Sequence, residues 1–195
     1  VDVLAPDFAA RLARAIAHFD VVGVAGATRL TGPAWGWAGH PDVHGWVTHR
    51  PGGKGAWRPG FWSPWPVVGG AVVLDGVFIA GHRRVFEAVR FDDATFDHFH
   101  CYDVDFTWRA ARSGYRIGVC GNLGVVHESL GRFDAKWRTY ADRFLAKFPE
   151  CNGTLRPGHR YETAVGSPQQ ALAFFRRLEV LAQATMATLT PAGKA

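Results

Sequence analysis

The stretch from Leu74 to Ser129 constrains this chain more than any other, because its short apolar runs repeatedly end in acids and histidines. Three segments show the pattern: Leu74-Asp75-Gly76-Val77-Phe78, Tyr102-Asp103-Val104-Asp105-Phe106 and Val125-Val126-His127. Polar side chains beside apolar segments are costly to bury unless they are paired or used in chemistry. We therefore expect strand and helix ends here to present acids and histidines at one functional site.

Composition fits a folded protein of one domain rather than a disordered chain. With 195 residues, 48% of them hydrophobic and 20% charged, the chain is long enough to bury a sizeable core. The net charge of +5 suits an anionic substrate such as a nucleotide or a lipid phosphate. Scattered arginines on solvated faces explain that charge equally well, since no block of like charge occurs, and we expect no nucleic-acid partner.

The cysteines and the hydropathy pattern bear on the cellular location. The three cysteines lack C-x-x-C spacing, which argues against a disulfide scaffold or a structural zinc site and is compatible with a reducing compartment. No apolar run approaches the roughly 18–20 residues of a membrane span, and no signal peptide is visible. We expect a cytoplasmic protein, with peripheral attachment to a membrane left open.

Periodicity predicts alternating helices and strands, and hence an α/β fold. Helices are expected over 6–19, over 83–89, from Asp103 to Gly114, over 133–148 and from Ser167 onward. Strands are expected over 20–26, as two short segments within 67–80, over 115–120 and over 123–127. Residues 152–166 are expected to form a loop. We divide the chain into a main unit, 1–150, and a C-terminal extension, 151–195.

The segment 31–66 differs in kind, since it holds six of the eight tryptophans together with many glycines and prolines. Long irregular segments in compact domains are usually functional or disordered, and the aromatic content argues against disorder. The segment is either a lid or sugar-stacking wall, or a long loop whose tryptophans anchor it on the core. For the first alternative, Trp46 and Trp62 are the expected substrate-binding residues.

Several residues could carry chemistry, and each has a structural alternative. Asp103 at a helix start is either an ionised base or metal ligand, or a helix N-cap. Asp105 is expected to pair with Arg109 at the i, i+4 spacing. His127 is either a structural histidine or a metal ligand. The sequence contains no G-x-S-x-G, P-loop or G-x-G-x-x-G motif, so serine-hydrolase, P-loop and ordinary dinucleotide-binding functions lack support.

In combination, these motifs resemble family 2 glycosyltransferases of the GT-A fold. The pattern runs Asp75-Gly76-Val77-Phe78, Phe91-Asp92, Tyr102-Asp103-Val104-Asp105-Phe106 with Arg109, and His127-Glu128-Ser129-Leu130-Gly131. It is similar to the branch that writes Phe-His-x-Tyr-Asp-x-Asp where others write Glu-Asp-x-Asp. The resemblance covers most of positions 1–148. It implies a mostly parallel sheet with helices on both faces.

The resemblance also implies roles for individual residues. Asp103 matches the catalytic base that deprotonates an acceptor hydroxyl for attack on the anomeric carbon with inversion. His127 matches a ligand of the divalent cation, Mg²⁺ or Mn²⁺, that neutralises the leaving nucleoside diphosphate. Three residues match the substrate pocket: Asp75, Gly76 and Tyr102. Asp105 and Arg109 match positions that brace the catalytic helix.

The implied partners are a nucleotide-sugar donor and a carbohydrate, lipid-linked or other hydroxyl acceptor. The resemblance places a nucleotide-binding half, with an Asp-x-Asp metal motif, upstream of residue 1. Two other functions stay open from the residues alone. One is a non-catalytic carbohydrate-binding module that uses the tryptophans of 31–66. The other is a metal-dependent hydrolase built on four residues, namely His98, His100, Asp103 and His127.

Overall fold

The computed structural model describes residues 2–189, with side chains described to Thr185, and shows a mixed α/β fold. The helices are α1 Phe8–His18, α2 Arg83–Val89, α3 Tyr102–Arg112, α4 Ala135–Lys147 and α5 Pro168–Leu189. The first strands are β1 Asp2–Val3, β2 Val21–Gly23, β3 Ala25–Ala27, β4 Val43–His49, β5 Arg58–Phe61 and β6 Val67–Ala71. The remaining strands are β7 Val73–Leu74, β8 Ile79–Gly81, β9 Ile117–Cys120, β10 Val125–His127 and β11 Tyr161–Glu162. The predicted helices are therefore present, with ends shifted by one or two residues.

The strands form two mixed sheets. In the larger sheet the order is β1-β10-β4-β3-β7, with β5 paired to β4 and β11 paired to β5; the smaller sheet has the order β6-β9-β2-β8. Only β4–β10 and β2–β9 are parallel among these described pairings, and the others are antiparallel. The expectation of a mostly parallel sheet is therefore not met. Parallel neighbours need long crossovers, whereas pairs such as β4 and β5 are joined by a short connection.

The apolar run after α1 forms two strands rather than the single strand expected. Strand β2 pairs with β8 and β9 in the smaller sheet, whereas β3 pairs with β4 and β7 in the larger one. Gly26 makes the second pairing possible, because a Cβ there would lie 2.3 Å from the carbonyl oxygen of Val73. One continuous buried segment thus connects the two sheets, which periodicity alone does not indicate.

Segment 31–66 is not the irregular loop that its composition suggests, since it contributes β4 and β5 to the larger sheet. Strand β4 is buried over most of its length. Its run of valine, histidine, glycine and tryptophan lacks a clear alternation, so the strand is hard to see in the sequence. Gly45, at φ +137°, brings it against β3, where a Cβ would lie 2.6 Å from the Cα of Ala25.

The C-terminal extension packs onto the same core. Strand β11 lies within the expected loop and pairs with β5. Helix α5 begins with a variant of the predicted capping box: Ser167 Oγ accepts from the Gln170 amide, but Gln170 Oε1 accepts from the amide of Gly166, one residue before the N-cap. Phe175 on α5 stacks on Trp46 of β4, with ring centroids 5.6 Å apart. The extension therefore covers one face of the larger sheet.

Within the part of the chain that the structure describes, no helix combines the length and the apolar character needed to cross a membrane.

Candidate functional site

The N-terminal turn of α3 lies against the end of β7. Thr107 Oγ1 donates to the Asp103 carbonyl at 2.7 Å and accepts from the Leu74 amide at 3.1 Å. Both groups are shielded from water, since Leu74 and Thr107 have no exposed surface. These bonds fix the helix start, which falls at Tyr102, relative to the Asp75-Gly76 turn.

Asp103 and Gly76 meet across this junction. Oδ2 of Asp103 accepts a hydrogen bond of 2.7 Å from the Gly76 amide. A Cβ at Gly76 would lie 2.6 Å from the Tyr102 hydroxyl and 3.0 Å from Asp103 Oδ2. Any larger residue at position 76 would therefore have to displace the Tyr102 hydroxyl and crowd the Asp103 carboxylate. The structure brings together three residues that the resemblance assigned to the base and pocket.

Asp75 completes the acidic part of the site. Its Oδ2 accepts from the indole Nε1 of Trp35, and its Oδ1 accepts from the Val77 amide at 2.8 Å. A side chain from segment 31–66 thus orients a carboxylate at the end of β7. Trp35 in turn contacts Trp62 edge-on, with ring centroids 5.0 Å apart.

The carboxyl of Asp103 is harder to ionise than that of an ordinary aspartate. Burial of its carboxyl, together with the negative charge of Asp75, raises the pKa of Asp103 to about 7, against the lowering effect of the Gly76 amide. Burial and the same two carboxylates raise the pKa of Tyr102 to about 12, so its hydroxyl stays protonated. Of these groups, Asp103 is therefore the one able to exchange a proton near pH 7.

His127 ends β10 and is half-buried. Burial lowers the pKa of His127, and the charge of Asp75 opposes that effect, so the two groups lie within electrostatic reach. His127 is in register with His49 at the end of the parallel strand β4, and their ring centroids are 5.6 Å apart. Burial, with Arg160 and His127 nearby, lowers the pKa of His49 to about 4. At neutral pH both imidazoles are therefore uncharged.

Asp105 and Arg109 form the ion pair that their spacing predicts. Asp105 is fully buried, and its Oδ2 accepts from Arg109 at 2.8 Å and 2.6 Å. Its Oδ1 accepts from Lys147 Nζ of α4 at 2.6 Å. Arg109 also donates to the carbonyls of Val89 and Arg90, at the end of α2. These contacts join α2, α3 and α4.

A metal site is only partly provided by the described residues. They contain no cluster of three histidine, cysteine or acidic side chains arranged to hold an ion. His127 offers one imidazole, and each oxygen of the Asp75 carboxylate accepts one hydrogen bond and has a further acceptor site. A ligand role for His127 toward the Mg²⁺ or Mn²⁺ that the resemblance implies stays a prediction.

The predicted aromatic wall is largely internal. Trp46 has no exposed surface and donates its indole N–H to the Ser63 carbonyl at 2.9 Å, so it does not serve as a substrate-binding residue. Trp62 is half-buried, beneath the guanidinium of Arg160 at 5.3 Å from its ring. None of the six tryptophans of the segment is exposed. Most of these tryptophans therefore anchor the segment on the core, rather than forming a lid or a sugar-stacking wall.

His98 and His100 do not join His127. His98 is exposed and lies 2.6 Å from Lys136 Nζ, while His100 packs near Tyr140, with ring centroids 5.9 Å apart. The set of residues expected for a metal-dependent hydrolase is therefore not gathered into one cluster among the described residues.

Four further residues shape the site without having been singled out in the sequence: Trp35, His49, Thr107 and Arg160. For His49 a signal existed, since Trp46-Val47-Thr48-His49 ends in a histidine as Val125-Val126-His127 does. The others act through contacts between distant parts of the chain, for which periodicity carries no signal.

Comparison of the chain with protein-family models, curated proteins and solved structures finds no match in any of the three.

Proposed function

We propose that this chain carries the acceptor-side part of an inverting glycosyltransferase, which transfers a sugar from a nucleotide-sugar donor to a hydroxyl acceptor. The observation that carries the proposal is the Asp103 carboxyl, held by the Gly76 amide at 2.7 Å and with a pKa raised to about 7. A carboxylate with that pKa is a better proton acceptor than an exposed aspartate, and half of it is ionised at neutral pH.

The reaction assigns one step to Asp103. Its carboxylate accepts the proton of the acceptor hydroxyl as that oxygen attacks the anomeric carbon of the donor sugar. The bond from that carbon to the diphosphate oxygen breaks on the opposite face, so the nucleoside diphosphate departs and the configuration inverts. A divalent cation, when bound, would offset charge on the departing diphosphate.

The neighbours of Asp103 have supporting roles in this proposal. Asp75, oriented by Trp35 and by the Val77 amide, keeps the pKa of Asp103 high and offers acceptors to sugar hydroxyls. Gly76 leaves room for the base, and Tyr102 forms a wall beside it. Asp105 and Arg109 hold the helix. Trp62 remains a substrate-binding candidate through its half-exposed surface.

The proposal includes a cytoplasmic reaction, peripheral to a membrane when the acceptor is lipid-linked, as in polysaccharide assembly. The assay uses the full protein. Asp103→Asn keeps the size of the side chain and an acceptor for the Gly76 amide, but it cannot take a proton. We expect transfer to fall by about a hundredfold or more, with donor affinity nearly unchanged.

The measurement is release of nucleoside diphosphate, with a panel of nucleotide sugars and acceptors. Asp93→Asn is the matched control, since Asp93 is exposed, and it should leave transfer unchanged. Transfer retained by Asp103→Asn would remove Asp103 as the base. Sugar binding without transfer, lost in Trp62→Ala but kept in Asp103→Asn, would instead indicate a carbohydrate-binding module.

A further inference from the structure

Arg160 is an unusual feature of the loop between α4 and α5, because its guanidinium is turned inward against the end of β4. The side chain is 18% exposed and pairs with the carboxylate of Glu162. Its Nη2 lies 3.3 Å from each of two backbone carbonyls, those of Val47 and Arg58. Gly60 makes the space, since a Cβ there would lie 2.7 Å from Nη2. The position of this guanidinium is thus fixed by both strands and by an ion pair.

The same Nη2 lies 2.7 Å from Nδ1 of His49. A guanidinium keeps its protons and can only donate, so Nδ1 must be the acceptor. An imidazole that accepts at Nδ1 is neutral and carries its proton on Nε2. Arg160 therefore fixes the tautomer of His49 and leaves Nε2–H as its remaining polar group.

The surroundings of His49 indicate what Nε2–H can meet. The neighbouring imidazole is His127, and Asp75 acts electrostatically on that ring. The charge of Arg160 is offset by Glu162, and the guanidinium of Arg50 lies over the ring of Trp57. A sugar hydroxyl is neutral, accepts from Nε2–H and can donate to a carboxylate.

We propose that His49 is a binding residue for a hydroxyl of a pyranose, with Arg160 as the residue that positions it. This rests on the proposed function, and it names the substrate class that the ends of β4 and β10 recognise. His49 supplies a donor at Nε2, and the His127 ring beside it and the Asp75 carboxylate that acts on that ring supply further polar groups, as a ring bearing several hydroxyls requires.

The test uses the full protein with ¹⁵N-labelled histidines and long-range ¹H–¹⁵N spectra. His49 should show a protonated Nε2 and an unprotonated Nδ1. The probes are glucose, galactose, mannose and N-acetylglucosamine, followed by the corresponding nucleotide sugars, and inorganic pyrophosphate separately. At least one sugar should shift Nε2 of His49, and pyrophosphate alone should not. Tighter binding of a nucleotide sugar at the same resonance would identify the sugar as the donor's, and equal binding the acceptor's.

Two variants of His49 separate its two nitrogens. His49→Asn keeps an acceptor for Arg160 near the Nδ1 position and removes the donor, so affinity for the sugar should fall about three- to tenfold. His49→Gln keeps an N–H near the Nε2 position and should lose less. His18→Asn is the control, since His18 is exposed at the end of α1, and binding should be unchanged.

Arg160 is tested through the spectrum of His49. Arg160→Met should let His49 populate both tautomers and weaken sugar binding, and Arg160→Lys, which keeps a donor, should restore part of the Nε2–H signature. The proposal is overturned if His49 is protonated on Nδ1, if no sugar shifts it, if pyrophosphate shifts it instead, or if His49→Asn binds normally. Sugar binding without any transfer would leave this assignment standing and remove the transferase. Transfer that is unaffected by His49→Asn would remove the assignment of His49 and leave the transferase standing.

Discussion

At the scale of single residues, the behaviour of Asp103 follows from lost hydration. A carboxyl that is largely shielded from water and acted on by the charge of Asp75 is harder to ionise than a free one, and the backbone amides of Val104, Gly76 and Asp103 only partly compensate. The same interactions that suit Asp103 to accept a proton near pH 7 therefore oppose folding once it is ionised. Catalytic groups commonly reduce stability in this way.

This has a measurable consequence for stability. The pKa of Asp103 is raised from 3.8 to about 7 on folding, so between these values the folded protein binds a proton that the unfolded chain has lost. Stability should therefore fall as pH rises from about 4 to about 7 and then level off. Asp103→Asn should lack this contribution. Urea unfolding of both proteins across this pH range measures the difference.

If the stability of the native protein relative to Asp103→Asn instead stays constant or rises with pH across that range, the pKa of Asp103 is ordinary or lowered, respectively. The assignment of Asp103 as a base matched to neutral pH would then fail.

At the scale of elements, polar contacts fix α3 to three neighbouring elements. Thr107 bonds the start of the helix to β7, Arg109 bonds it to the end of α2, and Asp105 bonds it to Lys147 of α4. The Asp105 carboxylate is fully buried and faces two cations, Arg109 and Lys147. Because buried charges are tolerated only when paired, this cluster specifies how the three helices pack.

Replacement of Asp105 tests the role of this cluster. Asp105→Ala leaves Arg109 and Lys147 without their shared acid, and the free energy of unfolding should fall by about 3–5 kcal/mol. Chemical denaturation measures the loss. Asp7→Ala removes an exposed i, i+4 pair with Arg11 on α1 and should leave stability nearly unchanged. Equal effects of the two variants would show that Asp105 does not brace the helix.

At the scale of the whole molecule, the C-terminal extension is part of the core rather than an appendage. Phe175 of α5 is 4% exposed and stacks on Trp46, which is fully buried in β4. Arg160, from the preceding loop, reaches the ends of β4 and β5. The extension therefore both covers the larger sheet and supplies the group that fixes His49.

We accordingly expect residues 2–189 to unfold as one cooperative unit. Phe175→Ala should lower the free energy of unfolding by about 3–5 kcal/mol in a single transition, because it leaves a cavity against Trp46. Leu181→Ala, at a position 64% exposed on the same helix, should change stability little. Thermal unfolding followed by calorimetry and circular dichroism measures both. Two separate transitions would indicate that α5 is an independent element.

Sequence patterns determined the elements whose cause is local. The helical spacing of apolar residues predicted α1, α3, α4 and α5, and the i, i+4 spacing predicted the Asp105–Arg109 pair. The meeting of Asp75, Gly76, Tyr102 and Asp103 agrees with the roles that a resemblance assigned to them, while their chemistry stays a proposal. The mixed α/β class also followed from the order of helices and strands.

Only the tertiary structure decided what depends on contacts between distant residues. It placed Trp46 in the core and divided residues 21–27 between two sheets. It also showed that the Trp-rich segment forms β4, inside the larger sheet, and that Trp35 of this segment donates to Asp75. It likewise brought Arg160 to His49, 111 positions away along the chain. Periodicity describes which face of an element is buried, whereas the partner that covers it is chosen by packing and hydrogen bonding across the whole chain.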